Sequence, residues 1–292
     1  MRVSVLINSR LRRKGALKGI DKLTPEANVA YTEYKGHAID IAKDFIPKSD
    51  FMIVIGGDGT FNEFMQVAGH LVDTGQRVPK VALISAGSAN DFSRNISLAQ
   101  NIEEALDWVN SSSRQVDFGR IKIRSQVKYF INIADFGLGA EVVKLINSNK
   151  RKLNPDLAFL WATSRAFFKY KPYTVKLKTS DFEREERVAA IAVANGKCFG
   201  SGLYIAPEAS IDSGIFQLTT IGNLGRLDYL LNVLKLKKIK RLSHPKVRYE
   251  NADWVEIEAI ESRGELEADG EHFGFGKVRI EIVPKGLTIV AN

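Results

Sequence analysis

The sequence predicts a two-domain fold: an α/β domain with a doubly wound parallel sheet over residues 1–125, then a β-rich, antiparallel sandwich-like domain over 126–284. Three observations carry that expectation. The length of 292 residues exceeds what one hydrophobic core usually fills. The first third alternates short apolar runs with segments of helical period. From about Gln126 the rhythm changes to one strand after another.

In order, VSVLI (3–7), FMIVI (51–55) and VALIS (81–85) read as buried strands, and HAIDIAKDF (37–45), NEFMQVAGHLV (62–72) and IEEALDWV (102–109) as helices. Continuous apolar strands separated by helices fit a parallel sheet covered on both faces, whose ligands sit at the carboxyl ends of the strands. The second half reads KYFINIAD, YTVKLKTS, RVAAIAVANG, FQLTTIG, WVEIEAI, GELEADGE and KVRIEIV. Several of these alternate, as Val278, Ile280 and Ile282 do against Lys277, Arg279 and Glu281. Two helical interruptions are expected, at about 155–169 and 226–242. The second puts Leu227, Leu230, Leu231 and Leu234 on one face, with Lys235, Lys237, Lys238, Lys240 and Arg241 crowding its end.

Composition narrows the function classes. A single cysteine, Cys198, leaves no internal disulfide and no thiolate metal cluster, which fits a reducing compartment, and the start of the chain lacks an apolar stretch of signal-peptide length. The longest uncharged runs, LAFLWATS and VAAIAVANG, fall far short of the roughly 18 apolar residues that span a bilayer. A cytoplasmic protein whose membrane contact is peripheral is the expectation. A formal charge of +8 and a pI near 9.4 favour a polyanionic partner: nucleic acid, anionic lipid or a phosphorylated cofactor.

Chemistry concentrates at the expected strand ends. Directly after FMIVI comes GGDGTFNE (56–63), and then a helix. Gly56, Gly57 and Gly59 permit a sharp turn and a close approach of backbone to ligand, and the amides of a helix start attract an anion, so phosphate is the natural guest. Thr60 and Glu63 also have the S/T-x-x-E spacing of a capping box. Asp58 would repel bound phosphates unless a metal or a hydroxyl intervenes, which implies magnesium. Neither G-x-x-x-x-G-K-[ST] nor G-x-G-x-x-G occurs, so a Walker-type ATPase and an ordinary dinucleotide-binding dehydrogenase are unsupported. The next strand end repeats the logic: VALISAGSANDF (81–92) presents Gly87, Ser88, Asn90 and Asp91 on the same edge, with Ser88 a candidate N-cap. Far downstream, ELEADGEHF (265–273) places Asp269 and Glu271 around Gly270. Asp-Gly is first of all a hairpin signal, yet two neighbouring carboxylates can raise one pKa into the range of a base that accepts a hydroxyl proton.

Together these motifs resemble the soluble bacterial diacylglycerol kinases, whose catalytic domain is shared with sphingosine and ceramide kinases. The resemblance runs nearly end to end: Asn8, TEYKGHA (32–38), GGDGTFNE, GSANDFSR (87–94), VDFGRI (116–121), FINIADFGLGAEV (130–142), KRKL (150–153), YKPYTVKL (170–177), VANGKCFGSGLYIAPEASIDSG (193–214) and ADGE (268–271). It implies a lipid kinase that moves the γ-phosphate of ATP to a lipid hydroxyl, with diacylglycerol the default acceptor. ATP would lie between the domains, around Asn8, Thr32, Gly56, Gly57, Asp58, Gly59, Thr60, Asn62, Glu63, Gly87, Ser88 and Asn90. Asp269 and Glu271 would supply the base, and Asp58 would join their hydrogen-bonding and magnesium network. The resemblance also implies that the last strand, within 285–292, returns to the first domain, and that a structural magnesium site lies near Ser210, Asp212, Ser213 and Ile215.

Three departures from the family pattern bear on those expectations. The loop after Asn8, from Ser9 to Lys14, is more basic than the family's Asn-Pro and Ser-Gly sequence. The family's Gly-Thr-Gly-Asn reads Gly87, Ser88, Ala89, Asn90, so a left-handed third position would strain Ala89. Ser213 stands where the family has the aspartate of an Asp-Gly pair, with Asp212 one residue early.

Seven basic residues between Lys235 and Arg248, each worth about 1 kcal/mol beside an anionic membrane, favour docking on the lipid's membrane. No RNA- or DNA-binding motif accompanies the charge, so nucleic acid is not an expected partner. A homodimer is left open. Two other readings stand beside the lipid kinase: a nucleotide-binding, membrane-associated regulatory protein without turnover, and a kinase for another lipid alcohol or a soluble acceptor such as NAD.

Overall fold

The computed structural model describes residues 1–11, 13–148, 155–260 and 264–292; Arg12 and the KRKL segment lie outside the described residues. Strands β1 (Val3–Asn8), β2 (Asn28–Thr32), β3 (Phe51–Gly56) and β4 (Lys80–Ser85) pair in parallel in the order β4-β3-β1-β2. Side chains alternate between the sheet's two faces, and both faces are covered. Met52 and Val54 of β3 meet Phe45 and Ala42 of α1 (His37–Phe45) and Phe64 and Met65 of α2 (Asp58–Asp73). Phe51, Ile53 and Ile55 meet Ile102 and Ala105 of α3 (Ile102–Trp108) on the other side. That double burial is why the strands read as unbroken apolar runs, each large buried side chain contributing about 2 kcal/mol.

The second half comprises β5 (Arg114–Ile123), β6 (Gln126–Phe130), β7 (Ile133–Gly137), α4 (Leu138–Ser148), α5 (Pro155–Lys169), β8 (Tyr173–Lys178), β9 (Glu183–Ala194) and β10 (Phe216–Gly222). It continues with α6 (Arg226–Asn232), β11 (Val247–Ala252), β12 (Trp254–Ala259), β13 (Glu265–Ala268), β14 (Glu271–Phe275) and β15 (Val278–Ile289). Its strands pair antiparallel around a core that includes Phe130, Phe136, Phe216 and Ile280. The halves join through one ribbon: β5 and β15 run antiparallel from Ile123↔Val278 to Arg114↔Ile289, and Ile289 also pairs in parallel with Val81 of β4.

Two stretches differ from the expectation. KYFINIAD breaks after Phe130 into β6 and β7, because the N–H groups of Ile131, Asn132 and Ile133 turn to a carboxylate instead of a neighbouring strand. The helix expected over 226–242 ends at Asn232 and continues only as the 3-10 segment Val233–Lys237. There the Asn232 amide donates to the Asp228 carbonyl at 2.7 Å, a local bond that competes with the helix ladder. Leu227 and Leu231 are exposed, whereas the side chains of Leu230 and Leu234 lie outside the described residues. Among the described residues no helix is long and apolar enough to cross a membrane.

Candidate active site

The parallel strands deliver their carboxyl ends to one edge. Asn8 closes β1, and its Nδ2 donates to Thr60 Oγ1 at 2.8 Å; Thr32, in register with Asn8, accepts the N–H of Ser9 at 3.3 Å. The two glycine turns press against each other. Ala86 N–H donates to the Gly56 carbonyl at 2.7 Å, and a Cβ on Gly87 would stand 2.5 Å from Gly57 Cα, so only glycine fits there. α2 begins at Asp58 with Gly57 as its N-cap residue, which has no side chain to close the first amides, while the Asp58 carboxylate accepts from its own N–H.

That early start corrects the capping-box expectation. The N–H groups of Thr60 and Phe61 both donate to the Gly57 carbonyl, which places Thr60 inside the first turn. Glu63 caps the neighbouring helix α1 instead, accepting the N–H of Gly36 at 2.9 Å and of Ala38 at 3.2 Å. In the second turn the left-handed residue is Asn90, φ 50°, and not Ala89. Asn90 Oδ1 accepts from Gly87 N–H at 3.0 Å and its Nδ2 donates to the Gly87 carbonyl at 3.3 Å, the local bonding that lets Asn adopt this conformation. Ser88 is exposed and caps no α-helix, since the chain runs on into the 3-10 turn Phe92–Arg94.

The acidic hairpin arrives at this edge from the other half of the chain. Asp269 and Gly270, with φ 49° and 83°, are the two central residues of the tight turn joining β13 to β14. Asp269 Oδ2 accepts from Ile131 N–H at 2.8 Å and Asn62 Nδ2 at 3.5 Å, while Oδ1 accepts from the N–H groups of Asn132 and Ile133, each at 3.1 Å. The broken strand therefore exists to hold this carboxylate. Glu271 reaches the first half and pairs with Lys35 at 2.9 Å.

Asp58, Asp91 and Asp269 crowd the resulting cleft. Burial raises the pKa of Asp58 against the main-chain N–H groups that lower it, including that of Phe92 at 3.3 Å. Burial and then the Asp58 charge raise Asp91, which accepts from Ser201 N–H at 2.9 Å and Gly202 N–H at 2.7 Å. Asp269 sits in a partly exposed turn, yet its carboxyl is enclosed, and burial pushes it up to about 6 despite its amides. Among the described residues the only cation within ion-pair distance of the three is Arg94, 3.5 Å from Asp91.

The remaining expected metal residues lie apart, before β10, and do not form a cation cage. Ser213 Oγ is 2.9 Å from the Ser210 carbonyl and 3.0 Å from that of Ile215, and its one proton serves one of them at a time. Asp212 turns to Ser210 Oγ at 2.6 Å and to Arg114, so its carboxylate is engaged away from those carbonyls.

A cavity of about 200 Å³ between the halves is lined by Asp58, Ala89, Asp91, Asn132, Glu267 and Asp269. It adjoins an apolar chamber of about 90 Å³ walled by Leu138, Phe167, Leu203, Ile205 and Leu236, and the two share Gly139, Val142 and Phe199. Sequence reading gave no role to Lys35, Asn132, Asp135 or Glu267. Glu267 alternates with Leu266 and Ala268, the mark of an outward-facing residue, but α4 packs over β13 and buries it.

A doubly wound domain whose strand ends carry glycine turns, closed by a β-sandwich that returns an acidic hairpin to them, defines a phosphotransferase of the lipid and NAD kinase class. Residues 5–121 match the diacylglycerol kinase catalytic domain, and residues 132–291 match the YegS C-terminal NAD kinase beta sandwich-like domain. The chain belongs to the YegS-like lipid kinase family. A "Probable lipid kinase YegS-like" of Chromohalobacter salexigens is 30% identical over 241 residues, covering 82% of this chain and 75% of that one. Another so named, from Stenotrophomonas maltophilia, is 26% identical over 253 residues, 86% of this chain and 80% of its own. Two solved structures share the fold: a diacylglycerol kinase from Bacillus anthracis (TM-score 0.74, 19% identity, 100% of this chain and 97% of that one) and an NAD kinase from Archaeoglobus fulgidus in complex with ATP (TM-score 0.56, 15% identity, 100% and 94%).

Proposed function

We propose that the chain transfers the γ-phosphate of ATP to the hydroxyl of a diacylglycerol-like lipid at an anionic membrane surface. The observation that carries this reading is the hairpin crossing the cleft, which sets Asp269 against Asn62 and Glu271 against Lys35. The triphosphate belongs on the α2 start and the Gly57 and Gly87 turns, whose backbones approach each other too closely for any side chain. Asp269 is fully occupied by N–H donors and serves as the anchor of the turn. Glu271, whose carboxylate takes no main-chain bond among the described residues, is then the base that takes the lipid hydroxyl's proton as the oxygen attacks phosphorus in line.

Magnesium fits the cleft on one ground: Asp58 is a buried carboxylate without a cationic partner among the described residues, and its charge raises the pKa of its neighbour Asp91. No three acidic, histidine or cysteine side chains among the described residues already stand at ligand spacing, so Asp58 would hold the ion jointly with nucleotide phosphates. When bound, it would neutralise charge on those phosphates. An amphiphilic acceptor suits the apolar chamber, which opens beside the cleft at Gly139 and Val142. Exposed Leu227, Leu231 and Ile239 stand near exposed Lys235, Lys238 and Lys240, the mixture that suits an anionic bilayer surface.

The test is label transfer from γ-labelled ATP with magnesium, in mixed micelles carrying diacylglycerol, sphingosine or phosphatidylglycerol, with NAD as a soluble alternative. Labelled lipid, strongest with diacylglycerol, is expected. Label on NAD, or transfer indifferent to lipid, refutes the reading.

A further inference from the structure

Two buried acids take no part in the transfer described above. Asp135 of β7 and Glu267 of β13 are each 3% exposed and stand directly opposite one another across the antiparallel pair. Side chains so placed have Cβ atoms roughly 5 Å apart. Neither has a Lys, Arg or His within ion-pair distance among the described residues; the nearby cations, Lys144 of α4 and His272 of β14, face Glu265. The other groups around them bring no positive charge: Asp269 and Glu271 on the hairpin, Tyr170 and Tyr173 at the start of β8, and Ala192 of β9 opposite Asp135.

Each acid takes one main-chain N–H, and the two donors belong to different walls of the cleft. Gly139, at the start of α4, donates to Asp135 at 2.8 Å; Gly270, in the acidic turn, donates to Glu267 at 3.0 Å. Two ionised carboxylates at this spacing, out of water and without a countercharge, repel each other strongly. One proton held between them turns the repulsion into a hydrogen bond.

We propose that Asp135 and Glu267 share one proton and form a latch that fixes the Asp269–Gly270 turn against the start of α4, so that losing the proton frees the turn presenting Glu271. They are positioning residues, acting on the lipid through the hairpin. The direction of their acidities agrees: burial pushes Asp135 up to about 7, and burial followed by the Asp135 charge pushes Glu267 well above the carboxylate range. An amide in place of one acid mimics the latch permanently, because the side chain introduced by Glu267→Gln can accept from Gly270 N–H and donate to Asp135 at every pH.

The activity readout rests on the lipid-kinase reading; a second readout does not. Transfer to diacylglycerol and the thermal unfolding midpoint are measured from pH 6 to 10 on the full chain, for the wild type, Glu267→Gln, Asp135→Asn and Glu267→Ala. Wild-type transfer should fall roughly tenfold per pH unit once the last proton leaves. Glu267→Gln should restore most of what Glu267→Ala loses at neutral pH, and both amide variants should move the alkaline fall upward by at least one pH unit. A folded acid that keeps its proton to higher pH than the unfolded chain loses stability as pH rises, so the wild-type midpoint should drop more steeply than that of either amide variant. An alkaline fall identical in all three, or Glu267→Gln as damaging as Glu267→Ala, overturns the latch. Equal slopes of midpoint against pH overturn the shared proton, even if no lipid is turned over.

Discussion

Replacing Gly87 by Ala tests the contact on which the proposed phosphate site depends. The added Cβ would lie 2.5 Å from Gly57 Cα, 3.0 Å from Asn90 Oδ1 and 3.2 Å from Gly57 N. Carbon atoms in ordinary contact stand about 4 Å apart, so the two turns must separate by about 1 Å or more. Neither backbone has slack, because Ala86 N–H is bonded to the Gly56 carbonyl between the same two strand ends. A displacement of about 1 Å at a reacting group costs on the order of 100-fold in rate, about 2.7 kcal/mol of barrier. Gly57→Ala meets Gly87 Cα at 3.0 Å and should cost less, about tenfold, while Gly59→Ala meets nothing within 4 Å and should stay within about twofold. The assay is kcat and KM for ATP and for lipid in mixed micelles, with unfolding midpoints to show that all three variants fold. Equal rates across the series, or Gly59→Ala as the worst of the three, would refute the account of the turns.

Asp269→Asn removes the charged acceptor for three main-chain N–H groups, leaving at least one of them unsatisfied, and should destabilise the fold by roughly 2–3 kcal/mol in urea unfolding; an unchanged midpoint would mean that the hairpin is not anchored there. The Asp269 carboxyl titrates near 6 when folded against an ordinary value of 3.8, so the folded chain binds the extra proton between these values and stability should fall by roughly 3 kcal/mol as pH rises through that window. Other raised carboxylates contribute in the same sense, so the measured quantity is how the stability difference between wild type and Asp269→Asn changes with pH across that window, a change that is absent if Asp269 titrates normally. Because Ser213 closes its loop through carbonyl bonds, chelating agents should leave the nucleotide-free unfolding midpoint unchanged; a drop of several degrees would reveal a structural cation there.

Much of the molecule is legible from local pattern. Unbroken apolar runs such as FMIVI mark strands with helices on both faces, and the alternation of Val278, Ile280 and Ile282 marks a one-sided strand, because each periodicity reports burial directly. The Asp269–Gly270 turn was readable for the same reason: only residues tolerant of positive φ fit it. What stayed hidden depends on partners far away in sequence. Thr60 and Glu63 have capping-box spacing, yet Glu63 caps α1, since the close-packed Gly57 starts α2 earlier. The strand KYFINIAD carries no sign that three of its amides serve a carboxylate more than a hundred residues on. Asp135 and Glu267 each look like polar faces of their own strands, and only the pairing of β7 with β13 beneath α4 makes them a buried couple.

If the hairpin from the second half supplies the group that deprotonates a lipid hydroxyl, Glu271→Gln should separate nucleotide binding from chemistry. ATP affinity and single-turnover phosphoryl transfer to diacylglycerol are measured for the wild type and Glu271→Gln. The expected result is unchanged nucleotide affinity with transfer at least about 100-fold slower in the variant. Transfer at the wild-type rate in Glu271→Gln would contradict that role.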